Sequence, residues 1–209
     1  MNDFSVGMAL FDYLPVAFFA IGAIILLCDL YNKMGKGAFA LFATGVINVA
    51  MAGFLKATWK LLYAGAKIDI AALDSMFFPV QSIGFLLAGI GILMMLGKKE
   101  KGVKNCAVVP VVSITFPYLV LVMVAGLACL DTGLCILAKK MKKPVAIVVF
   151  TLSFVCCLGM GYLSTKDFEQ ASMNWIAEGV NFAGQGLFLL GAWMLHKAGL
   201  ADLKLEKDA

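Results

Sequence analysis

Long apolar runs, separated by short clusters of lysine, most limit how this 209-residue chain can fold. Residues 39–55 and 76–96 carry no charge, and residues 106–138 carry only Asp131. A spanning helix needs about 20 apolar residues, whereas a membrane β-barrel would show alternating segments of about ten. The chain therefore reads as an all-α integral membrane protein, a single polytopic domain over 1–209. Composition agrees: 62% of residues are hydrophobic, mean hydropathy is +0.94 and 14% are charged, against about 25% charged for soluble domains. The first eleven residues contain Asp3 and no lysine. They lack the basic region of a cleavable signal, so the first span is expected to remain as an anchor.

Five spans are plain, at 10–31, 37–63, 76–97, 144–163 and 172–196. Residues 103–138 are too long for one span and short for two. Lysine decides between the threadings, because cytoplasmic loops of membrane proteins carry excess Lys and Arg. The chain has seventeen lysines and no arginine, and thirteen lysines fall in four clusters: 33/36, 98–104, 139–143 and 197–207. With six spans, loop and terminal lysines divide eight to seven. With seven they divide thirteen to two, leaving only Lys67 and Lys166 on the other side. The seven-helix threading is preferred, with six helices and a re-entrant segment at 103–117 as the alternative. It places the protein in the cell membrane with the N-terminus outside and the C-terminus cytoplasmic. It also puts Tyr13, Trp59, Tyr63, Tyr118, Tyr162 and Trp175 near the outer interface, where amphipathic rings settle.

The two halves, 8–97 and 117–196, share a layout. Tyr13-Leu14 and Tyr118-Leu119 open them; KMGK at 33–36 and KKMKK at 139–143 form their first turns. Acidic loops follow at 66–75 and 164–172, and a Phe-Leu-Leu triplet marks each closing span. This predicts a parallel three-helix repeat joined by a short linker crossing at 103–117. Parallel repeats occur in transporters, with the substrate site at their interface. The layout is similar to the three-one-three arrangement of SWEET-type sugar transporters. The proline–glutamine signature of the wider PQ-loop group is absent, so no residue role carries over.

Polar residues at membrane depth supply the candidate site. Glu178, Asn181 and Gln185 stand at i, i+3 and i+7 on one face of the last span. Such groups are costly against lipid and are expected to face the bundle interior. Lys56 lies deeper in the second span than Lys60, so Lys56 is expected to pair with Glu178 and Lys60 to snorkel outward. Gln81 and Asn48 are added as site residues by depth. Asp131 is a candidate proton-coupling group. Ala38, Gly45 and Ala52 recur every seven residues and predict a seam of close helix contact.

Much is excluded. One histidine, His196 at the inner end of the last span, cannot give a bis-histidine haem or a three-histidine zinc site, and it argues against a triad using His as base. The six cysteines form no CxxC pair, no phosphate-binding glycine fingerprint occurs, and no metal or cofactor is expected. The basic charge lies in turns rather than on one continuous face, which speaks against nucleic acid. The expected partners are the bilayer, a small-molecule solute, and a second copy or a complex partner. The expected function is a small secondary transporter or facilitator for a small polar or amphipathic solute. The competing classes are a receptor, sensor or accessory subunit, and an intramembrane enzyme acting on lipid. A transporter requires a central cavity reaching Glu178 from one side. A subunit requires only a dry polar stripe.

Overall fold

The computed structural model describes residues 5–97, 116–163 and 171–203, and their regular structure is all helical. The helices are α1 (Val6–Phe11), α2 (Tyr13–Leu30), α3 (Lys36–Ala66), α4 (Ala71–Ser75), α5 (Phe77–Leu96), α6 (Phe116–Lys140), α7 (Pro144–Leu163) and α8 (Ala171–Lys197). Ser5 caps α1 by accepting a hydrogen bond from the Met8 amide at 3.2 Å. The short helices α1 and α4 lead into α2 and α5 through the single residues Asp12 and Met76. Pro15 and Pro79 stand third in α2 and α5, and Pro144 is first in α7. In these first turns an amide lacks an intrahelical partner anyway, so proline costs little. The turn after α6 closes with Lys142 in the left-handed region (φ 56°) and the Lys143 amide on the Ala138 carbonyl at 2.9 Å. This 6→1 bond is a Schellman closure made without glycine.

Four stretches are long and apolar enough to cross a membrane: Val6–Leu30, Lys36–Ala66, Ala71–Leu96 and Tyr118–Lys140. Pro144–Met160 is a shorter apolar helix. The linker crossing expected at 103–117 lies outside the described residues, except for 116 and 117, where α6 begins.

The six long helices stand in a ring in chain order, α2, α3, α5, α6, α7, α8, and α8 closes against α2. The α3–α5 seam is backbone on backbone. A Cβ at Gly45 would lie 2.3 Å from the Ala88 nitrogen, and one at Gly91 would lie 2.6 Å from the Phe42 nitrogen. Ala38 and Ala52 are buried with Gly45, so the seven-residue series of small side chains is the contact face. The α7–α8 seam uses matching positions. Gly84 meets Val49 and the Gly45 carbonyl; Gly184 meets Cys157 and the Ser153 carbonyl. Gly91 meets Phe42 and Gly191 meets Phe150. Both seams are antiparallel. By contrast α5 and α6 run parallel, since Gly126 meets Leu86, Gly89 meets Leu130 and Gly133 meets Ile92. The α8–α2 closure is parallel too, from Phe18 with Phe182 to Asp29 with His196. Gly97 and Phe116 therefore lie at opposite ends of the ring.

The two ends differ. At the end carrying the lysine turns the interior is filled by apolar side chains. Leu26, Leu30, Phe42, Ile92, Leu134 and Leu195 are fully buried there, and Leu200 closes the base. Lys33 Nζ donates to the Leu203 carbonyl at 2.7 Å, fastening the chain beyond α8 under the first turn. The other end, where α2 starts and α3 finishes, is open and charged.

Candidate functional site

The open end is organised by the last turns of α3. Lys56, Trp59 and Lys60 share one face there, three and four residues apart. Lys60 Nζ lies 2.9 Å from Asp12 Oδ2 and 2.5 Å from Glu178 Oε1. Asp12 comes from the α1–α2 junction and Glu178 from α8. All three side chains are buried or nearly so, at 13%, 8% and 7% exposure for Lys60, Asp12 and Glu178. A lone charge at this depth would be costly, and one ammonium between two carboxylates compensates all three in part. Lys56 Nζ pairs with Asp74 of α4 and sits over the rings of Trp59 and Phe77, at 4.8 and 5.7 Å from their centroids. Trp59 Nε1 donates to Asp69 Oδ1 at 2.9 Å. The segment between α3 and α5 is thus folded back over the ring by two carboxylates.

This corrects the expected pairing. Glu178 meets Lys60, not Lys56. The two lysines are one turn apart on one face, and α8 brings Glu178 level with the outer one. Asp74 takes Lys56, a role that no depth count along α3 reveals. Lys60 accordingly turns inward rather than snorkelling. Trp59 departs from the interfacial girdle for the same reason: it is buried at 9% exposure with its nitrogen on Asp69. Tyr118, Tyr162 and Trp175 do stand exposed.

Below the ion triad lies a cavity of about 410 Å³ walled by all six long helices. Its mouth carries Asp12, Lys56, Lys60, Asp74, Asn174 and Glu178. Gln81, Asn181 and Gln185 lie along its side, and Phe19, Phe85, Met123 and Leu127 form its apolar floor. The structure thus brings Glu178, Asn181, Gln185, Gln81 and Lys56 together around one cavity. Asn48 is half-buried on α3 but does not line this space. Asp131 borders a separate recess of about 20 Å³ beside Ser153 and Phe188, with Leu127 as the shared partition. There it accepts from Cys135 Sγ at 3.7 Å.

Compared with protein-family models, curated proteins and solved structures, the chain matches none. The site therefore rests on its own geometry. Sequence reasoning missed Asp12, Asp74, Trp59 and Asn174 as cavity residues. Asn174 had a signal, since it extends the α8 stripe one turn back, four residues before Glu178. Asp12 had a weaker one, as an acid just before a span at the depth of Lys60. Chemically, the mouth offers charges of both signs, the side wall offers three amides that both donate and accept, and the floor offers aromatic and aliphatic surface. That combination suits an amphipathic solute held polar end outward.

Proposed function

We propose that the protein is a small secondary transporter or facilitator and that this cavity is its solute site. The observation that carries the reading is the cavity itself. It is central, it reaches Glu178 and Gln185 from one end, and an apolar core closes it from the other. A polar stripe serving only as glue between helices would leave no such volume. Its size falls within the range of about 300–1,000 Å³ typical of small-molecule sites.

The threading belongs to the same proposal. The chain crosses seven times, with the short linker crossing at 103–117. The parallel α5–α6 contact supports this. Excess lysine at the turns makes that end cytoplasmic, so the cavity faces away from the cytoplasm. The matched glycine contacts of α3–α5 and α7–α8 support the parallel repeat.

The test is a solute screen by thermal stabilisation of the purified protein in lipid nanodiscs. It compares the wild type with Ala50→Trp, which places an indole in the cavity. A hit should raise the melting temperature of the wild type and leave Ala50→Trp unmoved. Equal responses from both proteins would place the ligand elsewhere and sink the reading.

A further inference from the structure

We infer that the solute is a small organic cation, an amine carrying an apolar, aromatic-sized body, and that Glu178 is its counter-ion. This rests on the reading of the cavity as a solute site. Three carboxylates line the cavity, Asp12, Asp74 and Glu178, against two ammonium groups, Lys56 and Lys60. Both ammonium groups are engaged, Lys56 by Asp74 and Lys60 by Asp12 and one oxygen of Glu178. The lining thus has one carboxylate more than it has ammonium groups.

The surplus carboxylate has a location. The Glu178 side chain is buried, its Oε1 accepts from Lys60, and its Oε2 is buried with no hydrogen-bond partner. A buried acceptor on a charged group left unpaired costs more than a neutral one. Glu178 is itself one of the residues that line the cavity. The amide carbonyls of Asn181 and Gln185 lie one and two turns below it on the same helix face, ready to accept further N–H groups. The rest of the wall suits a cation as well. Trp59 and Phe77 already hold one ammonium over their faces, and Phe19, Phe78 and Phe85 offer more ring surface beneath. An anionic solute would meet the surplus carboxylate and find both lysines already paired.

Three probes with one body separate the possibilities: phenethylamine, phenethyl alcohol and phenylacetate. Binding to the wild-type protein in neutral-lipid nanodiscs is measured by isothermal calorimetry near neutral pH. The amine should bind at least tenfold more tightly than either of the others. In Glu178→Gln its affinity should fall at least tenfold while that of the alcohol stays level. If the alcohol or the acid matches the amine, the cation assignment is overturned and the solute-site reading stands. If the amine binds but Glu178→Gln leaves its affinity intact, Glu178 is not the counter-ion. If none of the probes binds and the screen of solutes also yields nothing, both readings fall. The wild-type comparison needs no variant, so the inference is exposed to refutation even if Glu178→Gln does not fold.

Discussion

Lys60 is the residue on which most depends. Its ammonium is shared by Asp12 and Glu178, and removing one partner of a buried ion group leaves uncompensated charge worth about 3–5 kcal/mol. Lys60→Ala is therefore expected to lower the melting temperature in nanodiscs steeply. Lys56→Ala removes a partner from Asp74, whose side chain is 40% exposed. Such pairs contribute about 0–1 kcal/mol, so that variant should melt near the wild type. The opposite ranking would mean the triad is not the structural tie described here. Neutralising all three members together, as Lys60→Met with Asp12→Asn and Glu178→Gln, removes the charge imbalance and should restore most of the stability lost in Lys60→Ala. The triple variant should not regain amine binding, because the counter-ion is gone.

At the level of elements, the glycine seams set what can be changed. At Gly91 a methyl group would lie 2.6 Å from the Phe42 nitrogen and 2.7 Å from the Ala38 carbonyl. Backbone cannot yield as a flexible side chain does, so Gly91→Ala should destabilise by about 1–3 kcal/mol through overpacking. Gly37 lies in the same helix pair with nothing within 4 Å of such a methyl. There the same substitution should be neutral or stabilise by about 0.5–1 kcal/mol. Thermal melts of the two variants side by side check both signs. Runs of apolar residues made the long helices legible, since a bilayer demands length and hydropathy and little else. The seam of Ala38, Gly45 and Ala52 was legible too, because a seven-residue recurrence keeps to one helix face. The breaks at Asp12 and Met76 were not, as short helices such as α1 and α4 persist through packing rather than propensity. Nor was the Lys60–Glu178 pairing, which depends on how far α8 slides along α3. That is a matter of helix register between residues 118 positions apart.

For the whole molecule, the testable matter is which end faces which compartment. In a cysteine-free background, a cysteine at Lys142 should react with an impermeant reagent only after the membrane is opened. One at Asp74 should react from outside intact cells. Reversal of the two would overturn the proposed orientation. Movement is the second matter, and the close seams decide it. The lightest contacts in the ring are α2–α3 and α6–α7, which lie opposite one another. A disulfide between cysteines placed at Val16 and Gly53, whose Cβ atoms would be 3.9 Å apart, suits that bond's geometry and fastens α2 to α3. It should abolish uptake of a solute into proteoliposomes, with recovery on reduction. Uptake unaffected by the bond would show that this seam does not part. If parting does follow the two light seams, the rigid bodies are α3–α5–α6 and α7–α8–α2, not the two sequence halves. Each body borrows one helix from the other half. The Lys60 triad then joins α3 of one body to α8 and the start of α2 of the other, so the same ion group that organises the mouth is also the latch across the line of motion.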